Sequence, residues 1–288
     1  AVSTFHLAGS AGCKVAISVE HASDGAVEGC DISDSDSHSH QVDKTGVALW
    51  PSSFALCGWL QHHSRLRLQG ARVLELGAGV GLAGLGAGTS WGPAAHVALT
   101  DGGDAAIALL ERNVAKNADA LKAAGTSVIV RKLKWGRPLS EVEGLRDTAY
   151  DVVIGADLVY REMGDAEAEA LFATVIAALK PDGVFVLSHC VRGMACEGPG
   201  FAGHMVLLRA ARAAGLCAEI VEGAAGEAAE VQPRCLELAV LTFTHARASG
   251  DAATSAETVA AALEDMGASF NRTLNGPLAP KRPRTALL

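Results

Sequence analysis

Short runs of Val, Leu and Ile alternate along the chain with longer stretches in which apolar residues return every three or four positions. From Arg72 onward the runs predict strands over 72–76, 96–100, 127–133, 151–156, 184–189, 217–221 and 236–244. Between them the helical spacing predicts helices over 80–90, 104–118, 165–179 and 201–214. Near-continuous apolar strands separated by helices imply a mostly parallel sheet covered on both faces, an α/β fold. Ligands of such sheets sit at the carboxyl ends of the strands, so the residues just after each strand carry the functional information.

Outside that region the pattern weakens. Residues 5–20 read as two strands around the turn Gly9-Ser10-Ala11-Gly12, a hairpin. Residues 31–40, rich in Asp, Ser and His, hold almost no apolar side chain and read as a mobile acidic loop. A solvated linker is the simpler account of its Asp and His residues than a metal site, since nothing rigid fixes a coordination geometry. Apolar residues at helical spacing over 54–60 follow Pro51, which suits a first helical turn. From Ala246 the composition turns to Ala, Ser, Thr and Asp, with one short helix near 255–266, and residues 246–288 read as a flexible tail. The division expected is therefore 1–45, 46–245 and 246–288, with the chemistry in the middle segment.

Composition sharpens this picture. Of the 288 residues 49% are hydrophobic, which excludes a mostly disordered chain. The net charge of −8 argues against a life on bare phosphate backbone, so no nucleic acid is expected as partner. Seven cysteines without a C-x-x-C pair read as reduced thiols rather than a disulfide framework or zinc site, so no metal is expected. His189, Cys190 and Cys196 read as strand-end packing for the same reason. From Leu76 to Thr100 there is no charged residue, but many glycines and few large aliphatics make this a loop, helix and strand rather than a membrane span. No basic region followed by an apolar run marks a signal peptide, so a cytoplasmic protein is expected, with Lys281-Arg282-Pro283-Arg284 as a faint nuclear-targeting hint.

The chemistry is announced between the first of the seven strands and its helix, in Glu75-Leu76-Gly77-Ala78-Gly79-Val80-Gly81. Small residues there let the backbone turn sharply and approach a ligand that also meets a helix N-terminus. Gly79 to Gly84 satisfies G-x-G-x-x-G, with Asp101 at the separation expected of a dinucleotide site. Glu75 separates the alternatives: a buried carboxylate would repel a pyrophosphate and suit the ammonium and sulfonium of S-adenosylmethionine. Gly84, Gly86 and Gly88 fit a helix pressed close to its sheet. Asp101 reads either as an acceptor for ribose hydroxyls or as an N-cap of the helix starting at Asp104, a task Asp104 can perform itself. Trp135, after the third of these strands, is placed to pack on an adenine ring or in the core.

Taken together, these residues resemble the seven-β-strand protein methyltransferases of methyltransferase family 16, from about Gly46 to Thr244. The resemblance rests on Thr45-Gly46-Val47-Ala48-Leu49-Trp50-Pro51-Ser52, the Glu75–Gly81 loop, Thr100-Asp101 followed by Asn113-Val114-Ala115-Lys116-Asn117, the Leu133-Lys134-Trp135-Gly136 turn, and Asp157-Leu158-Val159-Tyr160. It implies a Rossmann-like, seven-stranded class I methyltransferase fold with S-adenosylmethionine as cofactor and a protein lysine as methyl acceptor. Arginine, histidine or a small-molecule amine remain alternatives, as does a non-catalytic cofactor-binding module. Carried over by position, Trp50, Glu75, Gly77, Gly79, Gly81, Asp101, Trp135 and Ala156 would line the cofactor pocket. Asp157 and Tyr160 would face the acceptor. The Trp-Pro-Ser and Thr-Asp-Gly variants look somewhat like the calmodulin-lysine methyltransferase branch. A monomer acting on a protein substrate, away from membranes, is expected.

Overall fold

The computed structural model describes residues 1–8, 14–22, 45–62, 66–89, 93–146, 149–159, 163–191, 203–221, 237–246 and 258–263. Its strands are β1 (Val2–Ala8), β2 (Lys14–Glu20), β3 (Arg72–Glu75), β4 (His96–Asp101), β5 (Ser127–Lys132), β6 (Tyr150–Ala156), β7 (Leu179–Val191), β8 (Leu216–Val221) and β9 (Glu237–His245). Its helices are α1 (Pro51–His62), α2 (Leu82–Thr89), α3 (Asp104–Lys116), α4 (Ala118–Ala124), α5 (Asp165–Ala178) and α6 (Gly203–Ala213). The seven strands read from the apolar runs form one sheet, in the order β5-β4-β3-β6-β7-β9-β8. The first five run parallel, and β9 lies antiparallel between β7 and β8.

Alternation along the strands divides the core into two layers. Val73, Val152, Ile154 and Val186 face one side with α1, α2 and the buried face of α3, while Leu74, Val153, Phe185 and Leu187 face the other with α5 and α6. Phe172, Phe185 and Phe243 meet at centroid separations of 5.3–6.0 Å in the second layer. They supply much of its aromatic bulk in a chain with only 5% aromatic residues. The uncharged stretch resolves into the glycine loop, α2 and β4 over its described residues, and among the described residues no helix is long and apolar enough to cross a membrane.

Three boundaries differ from the periodicity. The helix expected over 104–118 breaks at Asn117, and the chain resumes as the short α4, closed by Gly125 in the left-handed region at φ 73°. Strand β7 begins at Leu179, five residues before the apolar run at Val184: Tyr150 of β6 pairs with Leu179 but Val152 with Val184, so the register shifts between them. The third concerns the tail. Residues 258–263 are helical, and Val259, Ala260 and Leu263 are buried in the second layer, so that part of 246–288 packs into the domain. The hairpin β1–β2 likewise inserts Ile17 and Val19, both fully buried, into the first layer. Its expected turn at Gly9–Gly12, the 31–40 loop and residues 264–288 lie outside the described residues.

Candidate active site

The topology creates a crevice at one place. From β3 the chain moves outward to β4 and β5, then returns to β6 on the other flank of β3 and moves outward again to β7. Such a reversal leaves a cleft beyond the strand ends, where ligands of open parallel sheets bind. Glu75 ends β3, Asp101 ends β4, and Ala156 ends β6 with Asp157 directly after it. These residues therefore share the carboxyl edge of three neighbouring strands.

Between β3 and α2 the backbone passes through Gly77, Gly79 and Gly81 with φ of 58°, 53° and 81°. Any side chain is disfavoured there by about 1–2 kcal/mol. Crowding adds to this: a Cβ on Gly77 would stand 2.6 Å from Leu158 Cδ2 and one on Gly81 2.7 Å from Leu110 Cδ2. The loop is stitched to both flanking strands, since the Leu76 N–H donates to the Ile154 carbonyl (3.0 Å) and the Ala78 N–H to the Thr100 carbonyl (2.8 Å).

Glu75 is 3% exposed. Its Oε2 accepts the Gly84 N–H at 2.9 Å, inside the first turn of α2. A strand side chain thus satisfies one of the helix's four orphan donors from outside the helix. Burial pushes the carboxyl up to about 8, with Asp101 nearby adding to the rise and the Gly84 N–H opposing it. Burial thus favours the neutral carboxyl, and what the structure shows of Glu75 is its bond to the helix rather than a charge facing a ligand. The carboxyl is first an anchor for α2.

Asp101 is half-buried and holds two loops together: Oδ2 accepts the Gly79 N–H (3.0 Å) and Oδ1 the Gly103 N–H (2.9 Å). Neither it nor Asp104 caps α3 with its side chain; Gly103 occupies that position, and Asp104 pairs instead with Lys132. Asp157, half-buried, has φ 54°, the single positive value among described non-glycine residues. Its N–H donates to the Ser188 carbonyl at 2.8 Å, so the pairing of β6 with β7 holds it in that conformation. Asp is one of the few residues with tolerance for this region. A non-glycine residue held there at a strand end by its surroundings marks a functional candidate.

The half-buried Trp135 reaches the loop: its Cζ2 is 3.5 Å from where a Cβ of Gly77 would lie, and Leu158 covers the same glycine. The turn that carries it uses Gly136 at φ 80°, fixed by a 2.8 Å bond from its N–H to Thr174 Oγ1 of α5. Trp50 is half-buried immediately before α1, whose first turn closes when Ser53 donates to the Trp50 carbonyl (3.0 Å). Tyr160 lies outside the described residues. Glu75, the three loop glycines, Asp101, Trp135, Ala156 and Asp157 thus fall around one cleft.

Three neighbours were not singled out for the site. The carbonyl oxygen of Gly46 stands 3.3 Å from a Cβ position on Gly79, and a Cβ on Gly46 itself would lie 3.7–3.8 Å from both Asp101 oxygens. Leu158 fills the space over Gly77 and Gly155. Asn113 donates to the Val80 carbonyl at 2.9 Å. Gly46 and Asn113 stood in the motifs, yet spacing alone shows no partner so distant in sequence.

A sheet of this strand order with a glycine cradle at its switch point defines a class I methyltransferase fold. The chain belongs to the lysine methyltransferase family, whose pattern it matches over residues 34–196. It is 38% identical over 119 residues to protein N-lysine methyltransferase METTL21A of Xenopus tropicalis, covering 41% of this chain and 50% of that protein. It is 34% identical over 140 residues to the calmodulin-lysine N-methyltransferase of Arabidopsis thaliana, covering 46% and 43% respectively. To EEF1A lysine methyltransferase 3 of Xenopus tropicalis it is 34% identical over 123 residues, covering 42% and 49%. The chain spans about half the length of the curated relatives it matches.

The cofactor of this family and fold is S-adenosylmethionine. The loop fits it: the left-handed turns at Gly77, Gly79 and Gly81 put side-chain-free backbone at the strand ends, just ahead of the N-terminus of α2. Asp101, at the end of β4, sets a carboxylate beside that loop, the kind of acceptor that ribose hydroxyls need.

Proposed function

We propose that the chain transfers a methyl group from S-adenosylmethionine to a lysine side-chain amine of a protein. The observation that carries this is the meeting, at one switch point, of the left-handed glycine cradle with the left-handed Asp157 on the neighbouring strand. The names of the relatives support a protein lysine as acceptor, and the net charge of −8 supports a protein over a nucleic acid.

When bound, S-adenosylmethionine supplies an electrophilic methyl carbon on a sulfonium. The chain's own task is to align and deprotonate an amine. A free Lys with a pKa near 10.4 needs about 4–5 kcal/mol to be neutral at pH 7. Asp157 captures and orients the arriving ammonium, a contact that by itself favours the charged form. Proton loss therefore goes to water, once the ammonium has left bulk solvent for the apolar wall around Leu158. Gly77, Gly79 and Gly81 would hold the cofactor along the loop backbone, and Asp101 would accept its ribose hydroxyls. Trp135 and Trp50 would line the cofactor pocket, Trp135 on the adenine side, while Ala156 would keep the strand end open. Glu75 acts through α2. This reading carries with it a monomer in the cytoplasm.

Tritium-labelled cofactor added to fractionated lysate tests the proposal, with mass spectrometry of any labelled protein band. Label on lysine in a protein is expected. Label confined to small molecules, or to arginine or histidine, overturns the lysine reading, and cofactor binding without any transfer overturns the enzyme.

A further inference from the structure

Two asparagines on one helix act as a strand. Asn113 and Asn117 are four residues apart on α3 and its C-terminal cap, and both are buried. Each side-chain amide carries one C=O and one NH2, the same donor and acceptor set as a peptide unit. Asn113 Oδ1 accepts the Glu20 N–H (2.7 Å) and its Nδ2 donates to the Glu20 carbonyl (3.1 Å). Asn117 Oδ1 accepts the Ser18 N–H (3.0 Å) and its Nδ2 donates to the Ser18 carbonyl (2.8 Å). Four residues of helix rise about 6.0 Å and two residues of strand about 6.6 Å, so the repeats match. The outer edge of β2, which would otherwise expose unpaired backbone, is closed by side chains. Arg112 (2.9 Å) and Lys116 (2.8 Å) clamp Glu20 from the same helix.

The two asparagines differ in their third bond. Asn117 Nδ2 turns back to the Asn113 carbonyl within the helix (2.7 Å), whereas Asn113 Nδ2 reaches the Val80 carbonyl in the glycine loop (2.9 Å). One amide group thereby holds both the edge of the hairpin and the middle of Gly79-Val80-Gly81. The hairpin also ends beside the cleft, where the Ala22 N–H donates to the Val47 carbonyl (2.8 Å), next to Gly46 over Gly79.

We propose that Asn113 is a positioning residue for the cofactor, fixing the Val80 carbonyl and coupling the N-terminal hairpin to the glycine loop. The proposal rests on the S-adenosylmethionine reading above. It identifies the hairpin as an outer support of the cofactor site. By reciprocity of coupling, cofactor binding must then tighten the hairpin's hold on Asn113.

Asn113→Ala and Asn117→Ala form a matched pair, since each removes three hydrogen bonds and both loosen the hairpin, but only the first touches the loop. Titration calorimetry of the full chain with S-adenosylmethionine, below the melting temperature of both variants, is expected to show Kd raised about tenfold for Asn113→Ala and less than threefold for Asn117→Ala. Hydrogen exchange is expected to show the cofactor protecting the Glu20 amide of the parent more than the Ser18 amide. Equal weakening by both variants, or a Kd for Asn113→Ala within twofold of the parent, overturns the proposal alone. Failure of the parent itself to bind the cofactor overturns the function reading, and the proposal with it.

Discussion

At the scale of single residues, the site is made of carboxylates whose surroundings differ. Asp157 adopts a backbone conformation that Asn shares and Ala resists by about 1–2 kcal/mol. Asp157→Asn is therefore expected to keep the fold, with a melting temperature within about 2 °C of the parent, and to keep cofactor affinity. On the proposed reading methyl transfer should fall by at least about a hundredfold, because the group assigned to capture the ammonium has lost its charge. A loss of cofactor binding in that variant would move Asp157 into the cofactor pocket and sink its assigned role. Glu75 behaves differently. Burial raises its carboxyl to about 8 in the fold from an ordinary value of 4.5 in the unfolded chain, so the native state binds more protons than the unfolded state between those limits. Its contribution to stability is complete below pH 4.5 and is lost as pH rises through 8. His96, lowered chiefly by burial and further by Arg72, gives a slope of the opposite sign, so the difference between parent and Glu75→Gln is the quantity to read. Melting curves from pH 5 to 8 should show the parent losing several degrees relative to the variant. Parallel curves would mean that Glu75 is ionised throughout.

At the scale of elements, α2 shows why a poor helix sequence makes a good helix here. Gly84 costs about 1 kcal/mol against Ala by propensity alone, which would make Gly84→Ala stabilising on an isolated helix. In place, a Cβ would collide with Leu99 and approach Glu75 Oε2 to 2.5 Å. The expected result is destabilisation of about 1–3 kcal/mol in urea titration. At Gly88 the nearest atoms stand farther off, Leu121 Cδ2 at 3.1 Å and Thr126 Cγ2 at 3.2 Å, so Ala there should cost less than at Gly84, within about 1 kcal/mol. Equal effects at the two positions would remove close helix–sheet contact as the reason for these glycines. This close contact was legible from glycine spacing, as the sheet was from its apolar runs, because both signals lie within a few residues. The break at Asn117 was not legible. Its cause is a pair of asparagines bonded to strand residues 93 and 99 positions away, and no local period records such a partner. The direction of Glu75 was hidden for a related reason: the sequence shows a carboxylate at a strand end, but only packing shows that it turns toward α2.

At the scale of the whole molecule, the question is where the domain ends. The composition after Ala246, rich in small and polar residues, resembles a tail, and a six-residue helical segment has no stability of its own in water. Yet Leu263 is fully buried, with Val259 and Ala260 nearly so, in the layer that also holds Phe172, Phe185 and Phe243. Short helices exist only through such tertiary packing, so the apolar spacing of residues 259, 260 and 263 outweighs the composition around it. Removing a buried leucine side chain costs about 2–5 kcal/mol, by lost transfer energy and the cavity left behind, whereas the same change on a detached tail falls within about 0.5 kcal/mol. Leu263→Ala is accordingly expected to lower the urea midpoint of the full chain in proportion to a loss of at least about 2 kcal/mol, with the denaturant slope unchanged. An unchanged midpoint would place residues 258–263 outside the folded unit and return the domain boundary to the end of β9.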